Sequence, residues 1–340
     1  MMYTVRLVLI AALAIAAGCF SERDGRPPVL SVGQQMRSIE VHSLSAQTGV
    51  VQRFESRLLL NAGFPNSAAK PHVSGLFVAD FGAGAVEVLK NKTYAKLATI
   101  TTGVKGPDGD WVDAKGNLYV ANYRGRNVTE YARGSAKPTC TYSRRLIDPV
   151  NVTTDASGDV FVVDWNFGGD RGAGYIDEYK QCANTLAERY TVAGGPEGVA
   201  VDGSGNLFVS YLTSENGAGV GALEEFPAGS KTPTPLGATL AYPGGLVVDR
   251  SGNLLACDQT SGTVDVISPP YTSINSRYVG FIAPLHIALT RDEKLLFVAD
   301  VGARNVVVLS YPKGLLKAKL GKAQGLSDPA GVSDAPNAVF

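Results

Sequence analysis

The sequence predicts an all-β chain folded as a six-bladed β-propeller of four-stranded blades. Three observations predict it. One phrase recurs six times along 340 residues, each phrase reads as strand, tight turn and strand, and the C-terminus begins a further copy of the unit. The copies are "GLFVAD" ending at Asp80, "NLYVAN" at Asn122, "DVFVVD" at Asp164, "NLFVSY" at Tyr211, "NLLACD" at Asp258 and "LLFVAD" at Asp300. Their ends are spaced by 42, 42, 47, 47 and 42 residues, the length of a propeller blade.

The elements of a unit follow from its residues. "GVAVD" and "NLFVS" are short apolar runs rich in β-formers, near-continuous enough to be buried on both faces. Between them "DGSGN" supplies the Gly and Asn that a tight turn needs where φ is positive. "VTEY" (128–131), "IDEY" (176–179), "LEEF" (223–226) and "VDVI" (264–267) alternate apolar with polar. That pattern predicts a third strand nearer the surface. A Gly-Ser-x-x-Pro turn then leads into a fourth strand.

The last residues, "LSDPAGVSDAPNAVF", match "LIDPVNVTTD" (146–155), which opens the inner strand of a blade. The first unit has a poor inner strand of its own, with Pro71 where other units carry Asp113, Asp202 and Asp249. Residues 329–340 are therefore expected to complete the first blade and fasten the ring.

The phrase "GVAVDGSGNLFVS" and the continuation "VADVGARNVVVL" resemble the NHL-repeat propellers over residues 65–340. More distantly the layout is similar to the SMP-30/gluconolactonase and streptogramin-lyase propellers. The resemblance implies a fold far more than a function.

The N-terminus reads "MMYTVRLVLIAALAIAAGCF". Arg6 is a positive n-region, Leu7 to Ala17 an apolar stretch too short to span a bilayer comfortably, and small residues precede Cys19. This is the layout of a secretory signal over 1–18, and it resembles a bacterial lipoprotein signal in which Cys19 is lipidated. Secretion without a lipid, or a retained anchor, are the alternatives. Residues 19–55 are polar with two early prolines and read as a tether, leaving 56–340 for the propeller. The expected location is the bacterial cell envelope, outside the cytoplasm.

Lys plus Arg equals Asp plus Glu, 31 each, and no basic stripe carries interleaved aromatics, so nucleic acid is not an expected partner. A monomer is expected. Cys257 lies in an apolar strand and reads as a buried small hydrophobe. Cys140 and Cys182 are 42 residues apart, one repeat, which places them at similar points of neighbouring blades near the outer edge. Outside the cytosol such a pair forms a disulfide if the geometry allows it.

Each inner strand is expected to begin just after a Pro and to point into the central channel at one mouth. The two residues after each Pro include Asp108, Asn151, Glu197 and His286. Two carboxylates with an amide oxygen make a hard-oxygen site for a divalent cation such as Ca2+. The lactonase-like resemblance implies the same, with Asp108, Asn151 and Glu197 as metal ligands and His286 as a catalytic base. Strand-start carboxylates and amides also cap turns, and a loop histidine needs no function.

Two neighbouring units carry doubled loops after the second strand, "WNFGGDRGAGY" and "LTSENGAGVGA". Trp165, Phe167, Asp170, Arg171, Tyr175 and Asn216 are the expected ligand-binding rim. The composite expectation is a lipid-anchored binding module for a small ligand or an envelope protein. The alternative is a metal-dependent hydrolase or lyase of the lactonase-like or streptogramin-lyase-like kind.

Overall fold

The computed structural model describes residues 75–166, 173–213 and 220–335. The leader, Cys19, the tether, Pro71, Phe167, Asp170, Arg171 and Asn216 lie outside the described residues. Twenty-four strands form six antiparallel four-stranded sheets. The innermost strands are β24 (Pro329–Ala335), β4 (Pro107–Val112), β8 (Pro149–Thr154), β12 (Gly195–Val201), β16 (Pro243–Val248) and β20 (Pro284–Leu289). They contact one another in that cyclic order, β20 returning to β24, so the ring is closed.

Closure is made as the C-terminal phrase predicts. β24 pairs with β1 (Gly75–Asp80), and the first sheet runs β24-β1-β2-β3. The last residues of the described chain thus supply the inner strand that the first unit lacks.

The strands are buried on both faces because blades stack on blades. Six apolar clusters fill the six blade junctions among the described residues. Between the first two blades, for example, Phe77 and Val88 meet Val120 and Tyr131. Each fully buried side chain of this size contributes roughly 1.5–3 kcal/mol, which no single blade could gain alone.

The alternating third strand departs from its expected half-exposure. Glu87, Glu130, Asp177, Glu224 and Asp265 are all buried, because the fourth strand covers them. That strand also brings most of them a partner. Arg189 on β11 (Leu186–Val192) clasps Asp177 at 2.5 Å through two nitrogens. Arg277 reaches Asp265 at 3.1 Å and Lys96 reaches Glu87 at 2.7 Å. Glu130 accepts from Tyr142 Oη at 2.6 Å. Glu224 is the exception. Its outer strand, β15 (Thr234–Pro235), places Pro235 opposite it, and Oε1 has no hydrogen-bond partner among the described residues. Burial pushes its carboxyl up to about 7.

Cys140 and Cys182 are bonded, with Cα atoms 5.2 Å apart. Their equivalence is corrected by the structure. Cys140 lies in β7 (Cys140–Tyr142), whereas Cys182 lies in the turn between β10 (Gly174–Tyr179) and β11. The longer loop after Asp164 delays β10, so one repeat in sequence is not one repeat in space. The bond staples the second blade to the third.

Candidate ligand-binding hub

Every inner strand is bulged just after its Pro. The register with the second strand slips between Pro107 and Asp110, Pro149 and Asn151, Pro196 and Gly198, Pro243 and Leu246, and Pro284 and His286. In β24 it slips beside Pro329. A bulge leaves a residue unpaired and re-aims the side chains around it. Six bulges at one level of the ring gather their side chains at one mouth.

The bulges also bring neighbouring backbones close together. A Cβ on Gly331 would lie 2.4 Å from Asp108 O, and one on Gly245 would lie 2.6 Å from His286 Nδ1. Glycine at these two points leaves room for the polar side chains to reach across the hub.

The four strand-start residues do meet there. Asn151 Oδ1 accepts the Val152 N–H at 2.7 Å, which fixes the amide with Nδ2 facing the hub. Nδ2 lies 3.2 Å from His286 Nδ1, and His286 Nε2 lies 3.3 Å from Asp108 Oδ1. The amide donates to Nδ1, so the ring proton sits on Nε2 and points at Asp108. Asn151, His286 and Asp108 come from three different blades, and His286 bridges the other two.

Glu197 completes the cluster. It is buried, and its carboxyl is pushed well above the usual range, first by burial and then by the Asp108 charge. The Trp165 and Tyr242 side chains beside it partly offset that rise. Tyr242 is likewise pushed up by burial and by Glu197. The mouth therefore holds one acid that resists ionisation beside another that accepts the imidazole N–H.

Trp165 is 5% exposed, so it forms a wall of the hub and not an outer rim. Its side chain packs in the apolar cluster between the third and fourth blades, with Val163 and Tyr211. Tyr175 is partly buried, with the Arg189 guanidinium 4.0 Å above its ring and the Arg189–Asp177 pair beside it. Tyr242 was not expected at the site. The one sequence signal for it is its place immediately before Pro243, where an inner strand begins.

The residue that ends the second strand positions these loops. Asp80, Asn122, Asp164, Asp258 and Asp300 each accept backbone N–H groups from the segment entering the inner strand of the same blade. Asp258 takes the N–H groups of Ala241 and Tyr242 at 2.8 and 3.1 Å, which fixes the backbone that carries Tyr242. Asp164 takes the Asp148 N–H at 2.7 Å, and the Asp148 carbonyl holds the Trp165 N–H at 3.0 Å. The fourth blade has Tyr211 at this position and lacks the clamp.

As they stand, Asp108, His286 and Asn151 are linked by hydrogen bonds across the hub. The Asn151 oxygen is engaged by the Val152 N–H. Among the described residues, the one set of three His, Cys, Asp or Glu ligand atoms within 4.8 Å of one another is Glu130, Cys140 and Cys182. Two of those are joined in the disulfide.

No family model matches the chain, and no curated protein matches it. Solved structures do. A chain of the nidogen/laminin complex is similar with a TM-score of 0.63 at 18% identity, covering 77% of this chain and 98% of that one. A Bacteroides caccae protein of unknown function is similar with a TM-score of 0.61 at 9% identity, over 77% and 99% of the two chains. Kuenenia stuttgartiensis hydrazine synthase is similar with a TM-score of 0.58 at 15% identity, over 82% and 93%. At these identities the likeness is one of fold, and the chain is a six-bladed β-propeller.

Proposed function

We propose that this propeller, of the NHL-like kind, is a binding module that works outside the cytoplasm and takes a small ligand or a protein partner at the mouth where its inner strands begin. The observation that carries the reading is the junction of Asp108, Asn151, Glu197 and His286, from four different blades, in one polar cluster walled by Trp165 and Tyr242. Recognition sites of this sort place a few fixed polar groups in an apolar wall. Anchoring through lipidated Cys19 is part of the proposal. The Cys140–Cys182 disulfide supports an oxidising compartment.

The test uses the mature chain with Cys19→Ser. A thermal-shift screen of small polar compounds and envelope extracts is expected to yield a stabilising ligand, with the stabilisation lost in Asp108→Asn and in Glu197→Gln. The same protein is chelated and then given Ca2+, Mg2+ or Zn2+. A metal-dependent melting shift, abolished in Glu197→Gln, would replace the binding reading with the metal-dependent hydrolase or lyase. Labelling of the full chain with a radioactive fatty acid, lost in Cys19→Ala, tests the anchor.

A further inference from the structure

At the end of the ring away from the hub mouth, turns join each inner strand to the second strand and each third strand to the outermost. These turns are equivalent in position but not in charge. In the sixth blade they carry Arg291, Lys294 and Lys313, and in the first blade Lys92, with Lys90 ending the strand before it. The second blade adds Lys115, Arg133 and Lys137. All of these residues are exposed. The acids in the described turns of these three blades are few and engaged or buried. Asp292 lies 2.9 Å from Lys294, Glu293 accepts the Arg250 N–H at 2.7 Å, and Asp113 is buried. The same turns of the third and fourth blades, across the ring, hold Lys180 and Lys231 against Asp155, Asp159 and Asp202. A chain with no net charge thus has one basic flank at this end.

Two further observations bear on what this flank faces. Lys313 is followed at its turn by Leu315 and Leu316, 57% and 58% exposed, so two large apolar side chains stand in water beside the lysine. Basic groups around exposed apolar ones suit a surface that lies on an anionic bilayer. A soluble polyanion offers the leucines nothing to bury against. The chain also enters the first blade here. Gly75 pairs with Lys90, so the segment that begins at Cys19 joins the propeller at this flank.

We propose that the end of the ring formed by the sixth, first and second blades docks on a bilayer that contains anionic lipid. Lys90, Lys92 and Lys313 meet the phosphate headgroups, and Leu315 and Leu316 enter the apolar layer beneath them. The hub mouth, at the other end, is then turned away from the membrane and open to its ligand. The surface acts without a lipid on Cys19, so failure of vesicle binding and failure of the anchor are read separately.

The experiment is flotation of the mature chain carrying Cys19→Ser with vesicles of phosphatidylcholine, alone or with about one-third phosphatidylglycerol. Binding is expected with the anionic vesicles only, and is expected to fall as salt is raised from about 0.05 to about 0.5 M. Lys92→Glu with Lys313→Glu is expected to weaken it at least roughly tenfold. Leu315→Ser with Leu316→Ser keeps the charge and is expected to weaken it roughly fivefold or more. Lys231→Glu with Arg144→Glu makes the same change in net charge elsewhere and is expected to bind as the wild type does. All six substituted residues are exposed, so the fold is retained. No binding to anionic vesicles would overturn the proposal, as would equal loss in the two charge-reversed variants. Binding that ignores the leucine substitutions and is matched on heparin would overturn it in favour of a soluble polyanion.

Discussion

Asn151 Nδ2 and His286 Nδ1 lie 3.2 Å apart, although their strands, β8 and β20, stand three blades apart whichever way the ring is followed. The pair spans the hub at one mouth, and the backbone N–H of Val152 dictates its polarity. The contact ties opposite sides of the ring together and sets the imidazole tautomer at the same time. Asn151→Leu is expected to free Nδ1 and lower stability by about 1–3 kcal/mol, since it strands a buried acceptor. Long-range proton–nitrogen NMR should report an Nε2–H tautomer in the wild type and a mixture in the variant. A wild-type Nδ1–H tautomer would refute the assignment.

Ring closure rests on Asp80 as well as on strand pairing. Its carboxylate accepts the Ser327 N–H at 2.6 Å, the Ser327 hydroxyl at 2.8 Å and the Asp328 N–H at 2.9 Å, just before β24 begins. Asp80→Ala is expected to cost about 2–4 kcal/mol in urea unfolding, because several donors lose one shared acceptor. Deleting residues 329–340 should be far worse and abolish the single cooperative melt, since β1 is left as an open apolar edge. A truncated chain that melts like the wild type would show that β24 is dispensable.

Glu224 gives a pH dependence with a definite sign. Its folded carboxyl titrates at about 7 and its ordinary value is 4.5. The folded state therefore holds a proton that the unfolded state releases earlier. The stabilisation this proton brings is complete below about pH 4.5 and is lost as pH rises to about 7. The gap is worth about 3 kcal/mol at most. Glu224→Gln should unfold at nearly the wild-type urea concentration at pH 5 and at a higher one at pH 8. An equal difference at both pH values would contradict the assignment.

The disulfide between Cys140 and Cys182 closes a loop with a sequence separation of 42. Reduction, or the double variant Cys140→Ser with Cys182→Ser, should cost about 2–4 kcal/mol. Peptide mass mapping under non-reducing conditions should recover the linked pair. Two free thiols in the protein isolated from its own cells would remove both the staple and its support for an oxidising compartment.

The architecture was legible in the sequence because it is written locally and repeatedly. Short apolar runs, Gly and Asn at the turns and a spacing of one blade leave few alternatives. The C-terminal phrase, repeating the start of an inner strand, pointed to the closure that β24 makes. The strand-opening prolines marked Asp108, Asn151, Glu197 and His286 as neighbours, since equivalent positions of a ring share one level.

Other features were decided only by the tertiary structure. The third-strand acids looked half-exposed, and the outer strand of each blade settled their burial and their partners, sparing none to Glu224. Cys140 and Cys182 looked equivalent, and a longer loop upstream moved one of them into a turn. Trp165 looked like a rim residue, and packing against the fourth blade made it a wall. Tyr242 gave no chemical signal until the fold brought it beside Glu197. The physical reason is common to all four. Sequence period determines which residues share a level of the ring, but burial, hydrogen-bond pairing and the direction of a side chain depend on what the neighbouring strand or blade brings against it.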